Sequence, residues 1–271
     1  MLPFLKWAGG KRWLAGSPNK IAPDQYKVYL EPFLGSGAVF FSLNPERSIL
    51  SDLNEDLITT YEAIRSSPSK VRDLLKLHAK AHSNEYYYEI RSARPRSICA
   101  KAARFIYLNR TCWNGLYRVN LKGEFNVPRG TKNSVTLESD DFDLTSNRLK
   151  KAKILHQDFE KTIDMAGEGD FVYIDPPYTV RHNLNGFVKY NEKIFSFNDQ
   201  IRLRDAVSRA ASRGVKITIS NANHESIHEL YSGLCDINAV NRKSVLAASS
   251  THRKSTSEIL LRIGWSEKED G

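Results

Sequence analysis

Residues 171–178 read Phe171-Val172-Tyr173-Ile174-Asp175-Pro176-Pro177-Tyr178: an apolar run, then an acid, two prolines and an aromatic ring. Four apolar positions in succession, with no polar alternation, predict a strand covered on both faces, as in a parallel sheet flanked by helices. The two prolines fix two φ angles and remove two backbone donors, so the strand cannot continue and its terminal carbonyls remain available as acceptors. A carboxylate, a bare carbonyl and a ring thus share one small volume at Asp175, Pro176, Pro177 and Tyr178. An exocyclic amine on a planar ring needs that set: two acceptors for its two N–H groups and a face to stack on. A strand that merely ends in a Pro-Pro turn would read the same way, so the motif alone leaves both interpretations open.

A second stretch, Tyr29-Leu30-Glu31-Pro32-Phe33-Leu34-Gly35-Ser36-Gly37-Ala38-Val39-Phe40, runs from an apolar strand through a glycine turn into a helix-like segment. Gly35 and Gly37 would let backbone approach a ligand, but Phe40 stands where the dinucleotide fingerprint G-x-G-x-x-G requires glycine, which weakens a pyrophosphate reading. The next apolar strand, Ser48-Ile49-Leu50-Ser51, ends at Asp52, where a doubly wound sheet places the acid that reaches ribose hydroxyls. An adenosine-type ligand suits both strand ends, and an ordinary tight turn at Gly35 to Gly37 is the competing interpretation.

Strand candidates at 28–33, 48–51, 152–156, 171–174, 215–219 and 258–263, separated by helix-length stretches, predict an α/β protein with a mainly parallel sheet. The alternation breaks between about 58 and 143. Helical patterns at 69–81 and 98–108 and a hairpin-like segment at 115–128 predict an inserted, mainly helical lobe there. The expected organisation is a discontinuous sheet domain (1–57 and 144–271) around a lobe at 58–143, with the strand ends bringing Gly35, Asp52 and Asp175 to one crevice.

The chain has 271 residues, 41% of them hydrophobic, enough for one large core and a small lobe, and its formal net charge is +9. That charge is localised: residues 65–132 hold fifteen Lys or Arg against four Asp or Glu, interleaved with Tyr86, Tyr87, Tyr88, Tyr107, Trp113 and Tyr117. A basic, aromatic-bearing lobe of this kind predicts a nucleic-acid surface rather than a merely solvated face. Cys99, Cys112 and Cys235 lack metal-like spacing and leave an odd thiol, which predicts neither a metal site nor a disulfide framework and places the chain inside the cell. No apolar run reaches membrane-spanning length, and Lys6 interrupts Met1-Leu2-Pro3-Phe4-Leu5 before a signal-peptide core can form.

In four places, and in the same order, the chain resembles the Dam-type DNA adenine-N6 methyltransferases. Lys6-Trp7-Ala8-Gly9-Gly10-Lys11 is similar to the family's N-terminal cofactor motif, Glu31 to Phe40 to its glycine loop, and Asp175 to Tyr178 to its catalytic motif. Leu108-Asn109-Arg110, Trp113 to Asn120 and Gly123-Glu124-Phe125-Asn126-Val127-Pro128 resemble its DNA-recognition hairpin. The resemblance implies a Rossmann-like sheet and methyl transfer from S-adenosylmethionine to N6 of an adenine turned out of double-stranded DNA, with no metal. It implies cofactor contacts from Trp7, Lys11, Glu31, Phe33, Gly35, Gly37, Asp52, Asp158 and Phe159, although Phe159 reads equally as core. It implies DNA contacts from Lys6, Trp113, Asn114, Leu116, Arg118, Asn126 and Pro128, and phosphate contacts from Arg242 and Arg253. Asp175 and the Pro176 carbonyl would hold the amine, and Tyr178 would stack on the base. A monomeric, cytoplasmic protein, nucleoid-associated or phage-encoded, is expected. The sequence departs from the family after the hairpin, with Arg129 where an aromatic is common and Thr131 where a basic or bulky residue is expected; GATC stands first among candidate sites. The alternatives are N4-cytosine methylation, to which Asp rather than Ser at position 175 is opposed, an RNA or glutamine-amide substrate, and a catalytically silent DNA-binding protein.

Overall fold

A computed structural model describes residues 1–11, 21–120, 122–179, 195–242 and 256–266, with only the backbone course given at 236–242 and 256–257. The chain divides into two compact units, one formed by residues 1–18 and 34–157, the other by 19–33 and 158–271.

In the second unit, β1 (Tyr29–Glu31), β4 (Phe171–Ile174), β5 (Lys216–Ala222), β6 (Asp236–Arg242) and β7 (Thr256–Ile263) run side by side in the order β1-β4-β5-β7-β6. β4 is parallel to both its neighbours, pairing Tyr29 with Phe171 on one side and Ile174 with Ile219 on the other. β7 is antiparallel to β5 and β6. All four β4 side chains are buried, so the predicted unbroken apolar run follows from the absence of any solvent-facing side. Helices α7 (Phe159–Asp164), α8 (Phe197–Ser212) and α9 (Glu225–Tyr231) contribute Ile163, Leu203, Ala206, Val207, Ala210, Ile227 and Tyr231 to the core. Each large side chain so buried contributes about 1.5–3 kcal/mol.

In the first unit, β2 (Ser48–Asp52) pairs in parallel with β3 (Ala152–His156) from Ser48–Ala152 to Asp52–His156. Helix α1 (Ala38–Leu43) follows the glycine turn, and α2 (Glu55–Ser66) follows β2. Helices α3 (Pro68–Ala81), α4 (Asn84–Ser92), α5 (Ile98–Thr111) and α6 (Phe142–Leu149) complete the unit. The helical patterns at 69–81 and 98–108 thus belong to α3 and α5, the latter running three residues longer because Asn109, Arg110 and Thr111 are buried polar residues. β6 was not expected, since Asp236-Ile237-Asn238-Ala239-Val240-Asn241-Arg242 alternates polar and apolar residues too weakly to announce a strand. Strand β1 is shorter than the expected 28–33, because Pro32 removes the donor that would extend it.

The hairpin at 115–128 is irregular. Val119 and Phe125 form a single bridge, supported by Asn120 N–H to the Glu124 carbonyl (2.8 Å) and Asn126 N–H to the Arg118 carbonyl (3.1 Å). Its base is closed by a bridge between Cys112 and Arg129, and Gly130 lies so close that a Cβ there would fall 2.5 Å from the Cys112 carbonyl oxygen.

Arg110 supports this closure from beneath. Its side chain is 1% exposed and donates from two nitrogens to the Asp140 carboxylate, both at 2.6 Å, and also to the carbonyls of Val135 (2.7 Å) and Phe4 (2.9 Å). The guanidinium thus joins three separate segments of the unit. Arg110→Ala should lower the unfolding free energy by about 3–5 kcal/mol, because it strands a nearly buried carboxylate. A urea titration monitored by circular dichroism checks this, and a loss under about 1 kcal/mol would show that the pair adds nothing.

Candidate active site

β4 is followed by Asp175, which is half-buried; Pro176 is buried and Pro177 and Tyr178 are half-buried. The Tyr178 hydroxyl donates to Glu258 Oε2 (3.0 Å) on β7 and lies 3.0 Å from Ser220 Oγ on β5. Burial, with the nearby carboxylates of Asp175 and Glu258, pushes the Tyr178 phenol well above its usual range and keeps it protonated as a donor. Tyr173 responds in the same way, first to burial and then to Asp175, Glu31 and Glu258. Glu31, 3% exposed, accepts from the Tyr29 hydroxyl at 2.8 Å. Three acids and three tyrosines therefore surround the end of one buried strand.

Phe33 and Phe159 stack at 5.3 Å between centroids, and Phe195 meets both rings at 5.6 Å. Phe159 is buried, and the Arg202 guanidinium lies 4.9 Å from its centroid. Asp158 caps α7 through the Glu160 N–H and forms an ion pair with Arg202 at 3.0 Å. Arg202 also reaches Glu160 (2.9 Å) and Asp199 (3.0 Å).

In the other unit, Gly35 (φ 47°) and Gly37 (φ 66°) both adopt left-handed backbone, which explains the glycines directly. Asp52 links this turn to the end of β2: its carboxylate accepts from the Gly35 N–H (3.0 Å) and the Asn54 N–H (2.9 Å). Burial raises the Asp52 pKa, and those N–H groups oppose the rise. The Tyr61 hydroxyl donates to the Gly35 carbonyl at 3.0 Å. Trp7 covers Gly35 and stacks on Tyr117 (5.8 Å, 23°) and Phe105 (6.3 Å, 30°). Lys11 is 2% exposed and donates to the Gly9 carbonyl at 2.9 Å.

The residues expected to contact bases, Lys6, Trp113, Asn114, Leu116, Arg118, Asn126 and Pro128, share this unit. Asn109 donates to the carbonyls of Lys6 (2.8 Å) and Gly115 (3.3 Å) and accepts from the Lys6 N–H (2.9 Å), so it holds the N-terminal segment against the hairpin base. Trp113 is 53% exposed, and Asn114 (φ 53°) and Gly115 (φ 66°) form the left-handed turn beside it. Arg118 and Pro128 are exposed and Leu116 half-buried, and Arg118 Nε donates to Asn126 Oδ1 at 2.8 Å. Tyr117 donates to Asp56 at 3.1 Å. Arg242 lies on β6, where only the backbone course is given, and Arg253 lies outside the described residues.

Sequence reasoning missed Ser220, Glu258 and Tyr61, which act on the Tyr178 and Gly35 segments from elsewhere in the chain, and the Asn54 N–H beside Asp52. Only Glu258 carried a signal, as an acid at the start of an apolar strand. Among the described residues there is no cluster of metal-ligating side chains and no helix long and apolar enough to cross a membrane.

The sequence profile of the D12 class N6 adenine-specific DNA methyltransferases matches residues 7–247. The type II methyltransferase M1.LlaDCHI of Lactococcus lactis subsp. cremoris is 37% identical, covering 96% of this chain and 94% of its own. The type II methyltransferase M.MjaIII of Methanocaldococcus jannaschii is 36% identical, covering 93% and 95%, and a DNA adenine methylase of Haemophilus influenzae 36%, covering 85% and 83%.

Gly35→Ala should destabilise the protein by at least about 1–2 kcal/mol, the cost of a left-handed L-residue. Its Cβ would also fall 2.7 Å from Trp7 Cδ1. An unchanged urea midpoint would contradict the turn geometry.

Proposed function

From the premise that this chain belongs to the D12 class of N6 adenine-specific, S-adenosylmethionine-dependent DNA methyltransferases, we propose that it methylates an adenine turned out of duplex DNA, with GATC the first candidate site. The observation that carries this reading is the end of β4, where Asp175, a proline carbonyl and a hydroxyl-anchored Tyr178 follow a fully buried strand.

The residues fit the cofactor chemically. In the first unit, Asp52 would accept from ribose hydroxyls, Gly35 and Gly37 form a close backbone turn, Trp7 covers that turn and the Lys11 ammonium would suit a carboxylate. In the second, the buried Glu31 suits a cationic ligand, and Phe33, Asp158 and Phe159 supply ring edges and acceptors for an adenine. Bound S-adenosylmethionine supplies a methyl group already activated by its sulfonium. The protein's own task is then to place and polarise the amine. Asp175 and the Pro176 carbonyl accept its two N–H groups, which draws the nitrogen lone pair out of the ring and favours the positive charge that develops on it. Tyr178 stacks on the base and holds it in line, an approximation effect worth several kcal/mol. The nitrogen gives up its proton after the bond forms.

Residues 58–143 act as the target-recognition lobe and 1–57 with 144–271 as the catalytic domain. Trp113 occupies the place of the extruded base, a step that costs a few kcal/mol. With its Nε engaged by Asn126, Arg118 presents its terminal nitrogens to a guanine edge, while Lys6, Asn114, Leu116 and Pro128 complete the base contacts. Arg242 and Arg253 hold phosphates. The enzyme acts as a monomer in the cytoplasm of a cell or phage-infected host.

Asp175→Ala should leave less than about a tenth of the methyl-transfer rate, with cofactor and DNA affinity unchanged, because the carboxylate acts on the reacting amine. Sequencing plasmid DNA for N6-methyladenine after expression in a methylation-free host tests the parent activity and its site directly.

Asp52→Ala should weaken cofactor binding by about 1–3 kcal/mol in calorimetry. Since burial raises the Asp52 pKa, binding that needs its carboxylate should be present at neutral pH and fall away on acidification above the usual aspartate range of about 3.9. Asp52→Asn should remove that acid limb.

Arg118→Ala should forfeit about 1–3 kcal/mol of discrimination between cognate and near-cognate duplexes, whereas Lys122→Ala should weaken all sequences alike and flatten the salt dependence. Retention of full discrimination in Arg118→Ala would place the reader elsewhere.

A further inference from the structure

Glu258 and Ser220 belong to neighbouring antiparallel strands in a register that pairs Ala222 with Glu258 and Ser220 with Leu260. Residues paired directly lie on one face of a sheet, and so do residues two apart, so Ser220 and Glu258 share a face. Both are buried, at 0% and 4% exposure, and both lie 3.0 Å from the Tyr178 hydroxyl. A carboxylate at this depth needs a donor, and the phenol provides one.

A phenol hydrogen prefers the plane of its ring. Two partners on the hydroxyl oxygen, together with the Cβ at the opposite end of the side chain, therefore define the orientation of that plane as well as the location of the ring. A stacking residue gains from this because its effect on rate depends on presenting one face at one angle.

We propose that Glu258, assisted by Ser220, is a positioning residue for methyl transfer, acting through the Tyr178 hydroxyl to hold the ring on which the target base stacks. This rests on the reading of Tyr178 as the stacking residue. The high pKa of the Tyr178 phenol agrees with it, since the hydroxyl stays a donor throughout the working pH range. Glu258 acts here as a hydrogen-bond acceptor, and its charge is not the operative property.

The test is a double-mutant cycle on the full-length protein, read as the single-turnover rate with tritiated S-adenosylmethionine and duplex DNA that the parent methylates, both saturating. Tyr178→Phe keeps the ring and removes its tether; Glu258→Leu removes the acceptor at similar volume; Glu258→Gln keeps a carbonyl acceptor without the charge. Tyr178→Phe and Glu258→Leu should each lower the rate about tenfold, and the double variant should be no slower than either, because residues that act as a unit are not additive. Glu258→Gln should stay within about threefold of the parent, and cofactor affinity by calorimetry should not move in any variant. Multiplicative losses in the double variant, a Gln variant as slow as the Leu variant, or a Leu variant as fast as the parent would each overturn the proposal. Should Glu258→Leu fail to fold, Glu258→Gln decides alone against Tyr178→Phe: near-parent rate beside a slow Phe variant supports the tether, and any other pattern refutes it. A parent that methylates no adenine would sink the underlying function and this proposal together, whereas an active parent without coupling would sink the proposal alone.

Discussion

The backbone of β4 is shared out between β1 and β5, and that pairing lasts only as long as the chain can donate. Phe171 to Ile174 are paired and buried on all sides. Pro176 and Pro177 then end the ladder, because neither has an N–H to give. Much of the second unit follows from this one constraint. A strand without a solvent face must be apolar throughout, helices must cover both its faces, and polar groups can gather only where the strand stops. Asp175 and Tyr178 stand at that stop, and burial there, reinforced by the carboxylates nearby, holds the phenols of Tyr173 and Tyr178 well above their usual range.

The glycine turn in the first unit obeys a different constraint. Gly35 and Gly37 adopt backbone angles that side-chain-bearing residues avoid, and the strain-free turn is then fastened by Asp52 from β2 and Tyr61 from α2. Asp52 thereby serves the fold before it serves any ligand: one oxygen takes the Gly35 N–H and the other the Asn54 N–H. Trp7 closes over the same turn and continues as a stack into Tyr117 of the hairpin, so the N-terminal motif, the glycine turn and the hairpin are packed as one body.

Buried polar residues account for most of the long-range order around the hairpin. Arg110 and Asn109 are consecutive on α5 and face different segments, the first holding Asp140, Val135 and Phe4, the second Lys6 and Gly115. Each satisfies groups that would otherwise be stranded without water, and each therefore specifies one arrangement of loops over many. The exposed Trp113 and Arg118 are displayed on this rigid base rather than on a free loop.

Strands β1 to β5 and β7, helices α3 and α5, the ends of β2 and β4 and the two glycines were legible in the sequence, whereas β6 was not, because apolar periodicity, proline and glycine act locally and leave their mark on consecutive residues. The family, too, was legible from short motifs in order, and the match across residues 7–247 agrees with it. Only the tertiary structure decided that Phe159 lies between ring neighbours and Arg202, that Asn109 and Arg110 are structural clamps, and that Glu258 and Ser220 fix Tyr178. The physical reason is distance along the chain. Tyr178 and Glu258 are 80 residues apart, and nothing in the local pattern of either predicts the strand register that brings a buried carboxylate to the Tyr178 phenol.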